Sequence, residues 1–576
     1  ETGMDVGDAV QDYLSVEALG DVFDFYIWSG TPREAMTAYG TLTGLPIFPP
    51  EWVFEPWAGG GGGRWRNGPL QDIALEQMAA MKKFHELDIP HSGFYAEGAG
   101  ATFFGEYKKE ELYKVVSFGE RHGFKVFSWQ FPNMTQELAQ ELLPECPKEE
   151  LPITRNKNDE EEKLPVYIDF SHPRAKELLA AQWKDRLDAG IRGSMVDFGD
   201  VVPDEAVFYD GRRGDEMHNA YAYQYAKNYR ELFEQKYGDD HVLYTRGAAP
   251  GSQHFACQFG GDQLTSFQGL KYAIAGGLSA AASGLPFWGV DAGGYDGFPD
   301  QETYLRWTEY AAFCPLMRFH GTEPREPWEY DAFTVKVYRY YTWLRENLRP
   351  YIVSVAAEAH KLGIPMMRPL AMMYPEDQEA TKVWDEYLFG EDLLVAPVSD
   401  ETEEREIYFP EGRWISLWNL NDEISGPVQR SVEVPIDKIP VYVREGSFLP
   451  LRLNENLKLG ESMSESETEM ILAVVPQNDS IVKETLYERS GAKTCCGMEK
   501  NGETIQLQIS GRTAELYVML AGIHWKNTEA IVNGRTLTKV TAREGLYFTE
   551  GYLELEEGIL VKINPSAESV IKIQKK

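Results

Sequence analysis

Apolar residues follow two alternating patterns from about residue 51 to residue 349. Short apolar runs, such as residues 53–57, 125–129 and 193–197, predict buried strands. Most of the stretches between them carry helical patterns, such as apolar residues at Ala80, Phe84 and Leu87. This alternation over about 300 residues predicts an α/β fold built on one (β/α)8 TIM barrel. A doubly wound sheet is the competing architecture before any motif is considered.

The pattern changes on both sides of this segment. Residues 22–28 read as a strand rich in β-branched and aromatic residues, and Thr31 followed by Pro32 predicts the start of a helix. After about residue 365, short strands separated by turn residues predict β-sandwich domains. The predicted segments are an N-terminal segment (1–45), the barrel (46–364) with an exposed, Glu-, Lys- and Pro-rich insertion (134–164), a proximal β-sandwich (365–451) and a distal β domain (452–576).

The length and the charge of the chain narrow the function classes. A chain of 576 residues is too long for one hydrophobic core, so several domains are expected. The formal net charge of −35 would repel a phosphate backbone, which argues against nucleic acid as a partner. The sequence has no stretch of 18 or more apolar residues, so we expect no membrane partner. A homo-oligomer is compatible with this composition.

Cysteine and histidine usage does not indicate a metal site. The five cysteines are odd in number and lack CxxC spacing, and the ten histidines form no HxxxH cluster. We therefore expect neither a metal nor a cofactor. The sparse cysteines and the lack of a visible signal peptide slightly favour a cytoplasmic over a secreted location.

Candidate chemistry lies at the carboxyl ends of the predicted barrel strands, where barrels carry their active sites. Four acidic residues end predicted strands: Glu97, Asp197, Asp262 and Asp291. Asp197 closes the run 193–197, and Asp262 follows two glycines that would let the backbone approach a ligand closely. Taken singly, Asp197 and Asp262 could also be ordinary turn or helix-capping residues.

Many collinear motifs together resemble glycoside hydrolase family 31, the α-glucosidase and α-xylosidase group. Residues 196–200 resemble the nucleophile segment of that family, and residues 261–263 resemble its acid/base segment. The remaining matches are residues 39–46, 49–52, 245–247, 251–253, 289–295, 318–320, 326–328 and 367–370. The resemblance runs from about residue 24 to residue 451. It implies an α-linked carbohydrate substrate and hydrolysis with net retention.

Retention requires two carboxyl groups about 5–5.5 Å apart, one ionised nucleophile and one proton donor. The resemblance assigns these roles to Asp197 and Asp262, respectively. Arg246 matches the arginine near the catalytic pair, where it could bind a sugar hydroxyl and keep Asp197 ionised. Asp291 and His320 match positions that contact sugar hydroxyls. Trp57 and Trp288 could form apolar walls of the sugar site, or pack in the core.

Three departures from the family pattern leave the identity of the sugar substrate undecided. Glu97 stands where glucosidases carry the first Asp of an Asp-x-Asp-Tyr motif, which puts glucose specificity in doubt. Residues 197–203 lie closer to the sulfoquinovosidase branch, although Glu97 would oppose an anionic sugar and only Arg64 and Arg66 offer substitute cations. Residues 1–45 look like the remnant of the N-terminal β-sandwich of the family.

The leading hypothesis is therefore an exo-acting α-glycoside hydrolase that releases one terminal neutral hexose. A sulfoquinovosidase, an α-transglycosylase and a non-catalytic carbohydrate-binding relative are kept as alternatives. Retention is compatible with transglycosylation, because a sugar hydroxyl can replace water in the second step.

Overall fold

The structure of the chain is a computed structural model. It describes residues 3–6, 14–17, 24–60, 70–96, 98–99, 108–155, 166–463, 469–477, 481–488, 490–512, 514–547 and 549–576. The α-helices are α1 (Pro32–Thr43), α2 (Leu70–Glu86), α3 (Lys109–Arg121), α4 (Gln136–Leu142), α5 (Ala175–Ala189), α6 (Gly214–Tyr237), α7 (Phe267–Ala282), α8 (Gln301–Ala312), α9 (Ala332–Leu362) and α10 (Leu370–Met373).

The strands of the first half are β1 (Gly3–Val6), β2 (Leu14–Glu17), β3 (Trp57–Gly60), β4 (Gly93–Ala96), β5 (Lys125–Gln130), β6 (Asn133–Met134), β7 (Val166–Tyr167), β8 (Gly193–Val196), β9 (Val242–Thr245), β10 (Cys257–Phe259) and β11 (Trp288–Gly289). The strands of the second half are β12 (Met367–Pro369), β13 (Tyr387–Phe389), β14 (Leu393–Val395), β15 (Glu404–Ser416), β16 (Glu423–Glu433), β17 (Val441–Arg444), β18 (Phe448–Leu453), β19 (Glu469–Val474), β20 (Ile481–Tyr487), β21 (Lys493–Asn501), β22 (Thr504–Ser510), β23 (Leu516–Ala521), β24 (Thr528–Val532), β25 (Arg535–Thr536), β26 (Thr538–Lys539), β27 (Gly551–Glu554), β28 (Gly558–Ile563) and β29 (Glu568–Lys575).

Eight parallel segments close the barrel. Seven of them form one sheet in the order β11-β10-β9-β8-β5-β4-β3. The eighth, at residues 316–318, bridges the two edges of this sheet, because Leu316 pairs with Gly289 and Arg318 pairs with Trp57. The Trp57 amide donates to the Met317 carbonyl at 2.8 Å. The predicted TIM barrel is confirmed, and a doubly wound sheet is excluded because the sheet has no open edges.

The segment before the barrel differs in part from its prediction. Residues 24–28 form no regular structure and are exposed, so the strand predicted over 22–28 is wrong there; residues 22 and 23 lie outside the described residues. No described strand pairs with residues 24–28, so strand propensity alone does not make a strand. The predicted helix is α1, with a capping box in which Thr31 Oγ1 accepts from the Glu34 amide and Glu34 Oε2 accepts from the Thr31 amide.

Backbone hydrogen bonds connect the predicted insertion to the loop that follows β8. Strands β6 and β7 pair at the two ends of the insertion, and Arg155 exchanges two backbone hydrogen bonds with Val207 of that loop. The Asp169 carboxylate, buried just after β7, accepts from the Tyr209 amide and from Ser171. The insertion therefore restrains the chain that leaves the barrel after residue 197.

Three six-stranded sheets follow the barrel. The first has the order β12-β13-β14-β17-β15-β16. The other two, β18-β19-β23-β28-β27-β26 and β20-β21-β22-β29-β24-β25, contribute apolar residues to one shared core and form a sandwich. Strand β18 begins at Phe448, so the distal sandwich starts slightly before the boundary placed at residue 451.

One buried arginine binds backbone carbonyls at the amino end of the barrel. Arg345, in α9, is fully buried, and its guanidinium donates to the carbonyls of Phe54, Ala312, Cys314 and Pro315. These carbonyls belong to the chain entering the first and the last barrel strands. Burial lowers the pKa of Arg345 to about 10, which still leaves it charged at neutral pH.

Arg345→Met should lower the stability of the barrel by about 3 kcal/mol, because four carbonyls lose a charged donor while the apolar volume is kept. Urea unfolding followed by tryptophan fluorescence measures the loss. Lys336→Met, at an exposed position of the same helix, is the matched control and should unfold like the wild type. Equal midpoints for both variants would contradict this role.

Candidate active site

The predicted site residues lie at the carboxyl ends of consecutive barrel strands. Because parallel strands end at the same rim of a barrel, residues far apart in sequence meet there. Asp197 follows β8, Arg246 follows β9, Asp262 follows β10 by a short loop, Asp291 follows β11, and His320 follows the eighth segment.

Asp197 is buried, and its carboxylate has three partners. Oδ2 accepts from the Trp129 indole at 3.0 Å, and Oδ1 accepts from the Phe198 amide at 2.9 Å. Arg246 Nε lies 3.2 Å from Oδ1, and the Asp197 side chain is only 6% exposed. Burial raises the pKa of Asp197 above its ordinary value, while Arg246, Trp129 and the Phe198 amide oppose the rise. These donors favour the ionised form that a nucleophile needs.

Asp262 faces the same guanidinium from a more open position. Its Oδ2 lies 3.5 Å from Arg246 Nη1, and its side chain is 47% exposed. Gly261 takes φ +74°, and a Cβ there would stand 2.9 Å from Arg246 Cδ. Gly261 therefore makes room for an arginine of the protein. The two carboxyl groups thus share one cation but differ strongly in access to water.

Asp291 is held within the protein. Its side chain is 1% exposed, and Arg318 Nη1 lies 2.8 Å from its Oδ1. Its backbone amide donates to Gln263 Oε1 at 3.2 Å, which links it to the residue after Asp262. Burial raises the pKa of Asp291 to about 7, against the lowering effect of Arg318. The guanidinium of Arg318 also packs on the rings of Tyr95, Tyr244 and Phe259.

His320 lies nearby in an aromatic setting. It is buried, with the Tyr95 ring centroid at 4.4 Å and the Tyr295 ring centroid at 5.6 Å. Burial, followed by the charges of Arg318 and Arg325, lowers the pKa of His320 well below its usual range. The imidazole is therefore neutral at physiological pH.

The two tryptophans considered as possible walls of the sugar site are buried in the core. Trp57 is fully buried at the start of β3 and packs on Phe127 and Tyr244. Trp288 packs against α7, where a Cβ at Gly277 would stand 2.8 Å from its Nε1. Both tryptophan side chains therefore pack as the second of the two alternatives expects. Glu97 lies outside the described residues, as do Arg64 and Arg66.

Sequence reasoning missed three residues that contact the site residues. Trp129 ends the predicted strand 125–129, so its position at a strand end could have indicated it. Arg318 stood inside a matched motif but was given no role of its own. Phe198 adopts φ +56°, and no sequence signal predicts a left-handed conformation at a phenylalanine.

The described residues contain no group of three or more His, Cys, Asp or Glu side chains arranged to hold a metal ion. Likewise, no helix among them is long and apolar enough to cross a membrane.

A closed (β/α)8 barrel with two carboxyl groups of unequal burial at one rim is the arrangement expected of a barrel glycoside hydrolase. The sequence model of the glycosyl hydrolases family 31 TIM-barrel domain matches residues 47–355, and that of the C-terminal domain of the family matches residues 363–449. The first match covers more than half of the chain. The chain belongs to glycoside hydrolase family 31.

Several relatives match different parts of the chain. An isomaltosyltransferase of Sporosarcina globispora is 28% identical over 605 residues, covering 95% of this chain and 54% of the relative. A sulfoquinovosidase of Agrobacterium fabrum is 34% identical over 297 residues, covering 49% of this chain and 44% of the relative. An alpha-glucosidase 2 of Bacillus thermoamyloliquefaciens is 25% identical and covers 78% of this chain and 60% of the relative. The chain spans only 54–60% of the first and third of these proteins.

The solved structures share the fold. A family 31 dextranase of Flavobacterium johnsoniae in complex with glucose superposes with a TM-score of 0.83 at 23% identity, covering 95% of this chain and 74% of the dextranase. A cycloalternan-forming enzyme from Listeria monocytogenes gives a TM-score of 0.84 at 23% identity, with coverages of 94% and 56%.

Trp129→Phe should move the acidic limb of the pH profile of kcat/KM upward by about one pH unit. The lost indole donor normally lowers the pKa of Asp197, and a hydrogen bond to a charged group contributes about 1.5 kcal/mol. Initial rates with a nitrophenyl α-glycoside between pH 4 and 8 measure the shift. The control is Trp52→Phe, which removes an indole bond of 2.9 Å to Asp240 away from the site. A matching shift in both variants would refute the assignment.

Proposed function

We propose that this protein is a retaining, exo-acting α-glycoside hydrolase that releases a terminal hexose through a covalent glycosyl-enzyme. The observation that carries the proposal is the unequal pair of carboxyl groups on one guanidinium. Asp197 is buried, with two hydrogen-bond donors and the Arg246 guanidinium around it, whereas Asp262 is open to solvent. Pairs of carboxyl groups in such different surroundings divide the nucleophile and proton-donor roles between them.

In the first step, Asp197 attacks the anomeric carbon while the bond to the leaving oxygen breaks, and Asp262 gives that oxygen its proton. The Asp197 carboxylate thereby becomes a neutral ester, and Asp262 becomes a carboxylate. Trp129 and the Phe198 amide orient the attacking oxygens before the reaction, which lowers the cost of reaching the transition state.

In the second step, Asp262 takes a proton from water, whose oxygen attacks the same carbon and breaks the ester bond. Arg246 lies beside both carboxyl groups. During the first step its charge faces the ionised Asp197, and after ester formation it faces the ionised Asp262. One cation therefore stabilises the negative charge in both halves of the cycle.

The way in which the arginines around the site are paired favours a neutral sugar as the substrate. Arg246 contacts both carboxyl groups, Arg318 is paired with Asp291, and Arg325 donates to the carbonyls of Gly294 and Gly297. Each of these arginines is engaged by the protein, so none of the three, which lie in the part of the chain that the structure describes, is presented to an anionic group. A sulfonated sugar, the substrate class of the sulfoquinovosidase relatives, is therefore the less favoured substrate.

Asp197→Asn and Asp262→Asn should lose activity in different ways on a panel of nitrophenyl α-glycosides (glucoside, galactoside, xyloside, sulfoquinovoside). Asp197→Asn should lower kcat by more than about 10³-fold on every substrate, because the covalent step is lost. Asp262→Asn should lower kcat by about 10²–10⁴-fold. The loss should be smaller on dinitrophenyl glycosides, whose leaving groups need no proton.

Added azide separates the two roles. It should rescue Asp262 variants with an α-glycosyl azide product, since azide needs no general base. Proton NMR of early wild-type product should show the α-anomer. Unchanged turnover in Asp197→Asn, or a β-anomeric first product, would overturn the proposal, and a wild type inactive on all substrates would favour a non-catalytic relative.

A second candidate function is α-transglycosylation, supported by the isomaltosyltransferase relative that matches 95% of this chain. A sugar hydroxyl would then take the place of water in the second step. Excess maltose or isomaltose should divert at least half of the released sugar into longer products if transfer dominates. Chromatography of nitrophenol release against free sugar measures this partition, and equal amounts of both at every acceptor concentration would exclude transfer.

A further inference from the structure

The contacts of Arg246 come from the two segments that carry the candidate carboxyl groups. Its guanidinium carbon lies 4.1 Å from the centroid of the Phe198 ring. On the Asp262 side, the position of a Cβ at Gly261 would stand 2.9 Å from Arg246 Cδ. Phe198 immediately follows Asp197, and Gly261 immediately precedes Asp262.

We infer that Phe198 and Gly261 are positioning residues that clamp Arg246 between Asp197 and Asp262. This inference rests on the proposed function for its catalytic consequence, but its geometry stands on its own. The ring supplies a face on which the planar cation packs. The glycine leaves the space that the methylene stem of the arginine occupies, at a positive φ that disfavours other residues.

The backbone at Phe198 serves the same arrangement. Its φ of +56° is unfavourable for a residue with a side chain, and such strain persists where surrounding contacts hold it. In this conformation the Phe198 amide donates to Asp197 Oδ1 while its ring lies beneath Arg246. The ring is supported by Phe131 at 4.8 Å and by Trp129 at 6.3 Å. One residue thus holds both the nucleophile oxygen and its counter-ion.

A double-mutant cycle tests the clamp. Phe198→Leu keeps an apolar side chain but removes the aromatic face, so kcat/KM should fall about threefold to tenfold and its acidic limb should move to higher pH. Phe198→Tyr keeps the ring face and should restore the wild-type profile. In an Arg246→Ala background, Phe198→Leu should have no further effect, because its partner is gone. Equal effects of Phe198→Leu in both backgrounds would overturn the inference.

Gly261→Ala tests the other side of the clamp against a matched glycine. Gly123 has φ +84° with nothing within 4 Å of an added Cβ, so Gly123→Ala carries similar backbone strain without a neighbour. Only Gly261→Ala should shift the pH profile, although both should lower Tm. Identical pH profiles for the two variants would count against the clamp.

Crystal structures of Phe198→Leu and Gly261→Ala give a readout that needs no activity. The inference requires the Arg246 guanidinium to leave the contact with Asp197 or with Asp262 in each variant. An undisplaced guanidinium in both would refute the clamp whatever the enzyme does. A wild type that is inactive on every α-glycoside would instead refute the proposed function and leave this structural test to decide.

Discussion

The site depends on one guanidinium placed between two carboxyl groups. Arg246 is close enough to both Asp197 and Asp262 to neutralise either, but it carries only one charge. Two ionised carboxylates beside a single cation would leave an excess negative charge at a partly buried place, where water screens it poorly. Burial by itself disfavours a charge on Asp197, and Arg246, the Trp129 indole and the Phe198 amide oppose that effect. Asp197 keeps these donors in a buried position, whereas the side chain of Asp262 is open to solvent.

Barrel geometry explains why these residues meet. Strands β8, β9 and β10 are neighbours in the sheet, so the residues that follow them reach one rim, with Arg246 on the middle strand. The next strand supplies Asp291, and the closing segment supplies His320. The loop after β8 is held by the Arg155–Val207 pairing with the insertion and by Asp169, which lies just after β7. A segment outside the regular barrel therefore restrains the chain just beyond the candidate nucleophile.

Buried cations recur at both ends of the barrel. Arg318 neutralises Asp291 at the carboxyl rim, and Arg345 satisfies backbone carbonyls at the amino end. Removing an arginine from water is costly unless its charge is compensated. Arg345 donates to four carbonyls, and Arg318 lies against the Asp291 carboxylate and three aromatic rings. Among the site carboxyl groups and their paired arginines, Arg246 and Asp262 have the most exposed side chains.

The amino-acid sequence by itself determined the barrel, the capped helix α1 and the acidic strand ends, because hydrophobic periodicity, turn residues and capping residues are local signals. Its motifs indicated Asp197, Asp262 and Arg246 by resemblance. Only the tertiary structure decided that Trp57 and Trp288 belong to the core, since burial depends on which side of a strand faces which neighbour. It also decided that residues 24–28 form no strand, because a strand needs a partner. The left-handed backbone of Phe198 and the space left by Gly261 were likewise invisible in sequence, since both residues contact Arg246, which follows a different barrel strand.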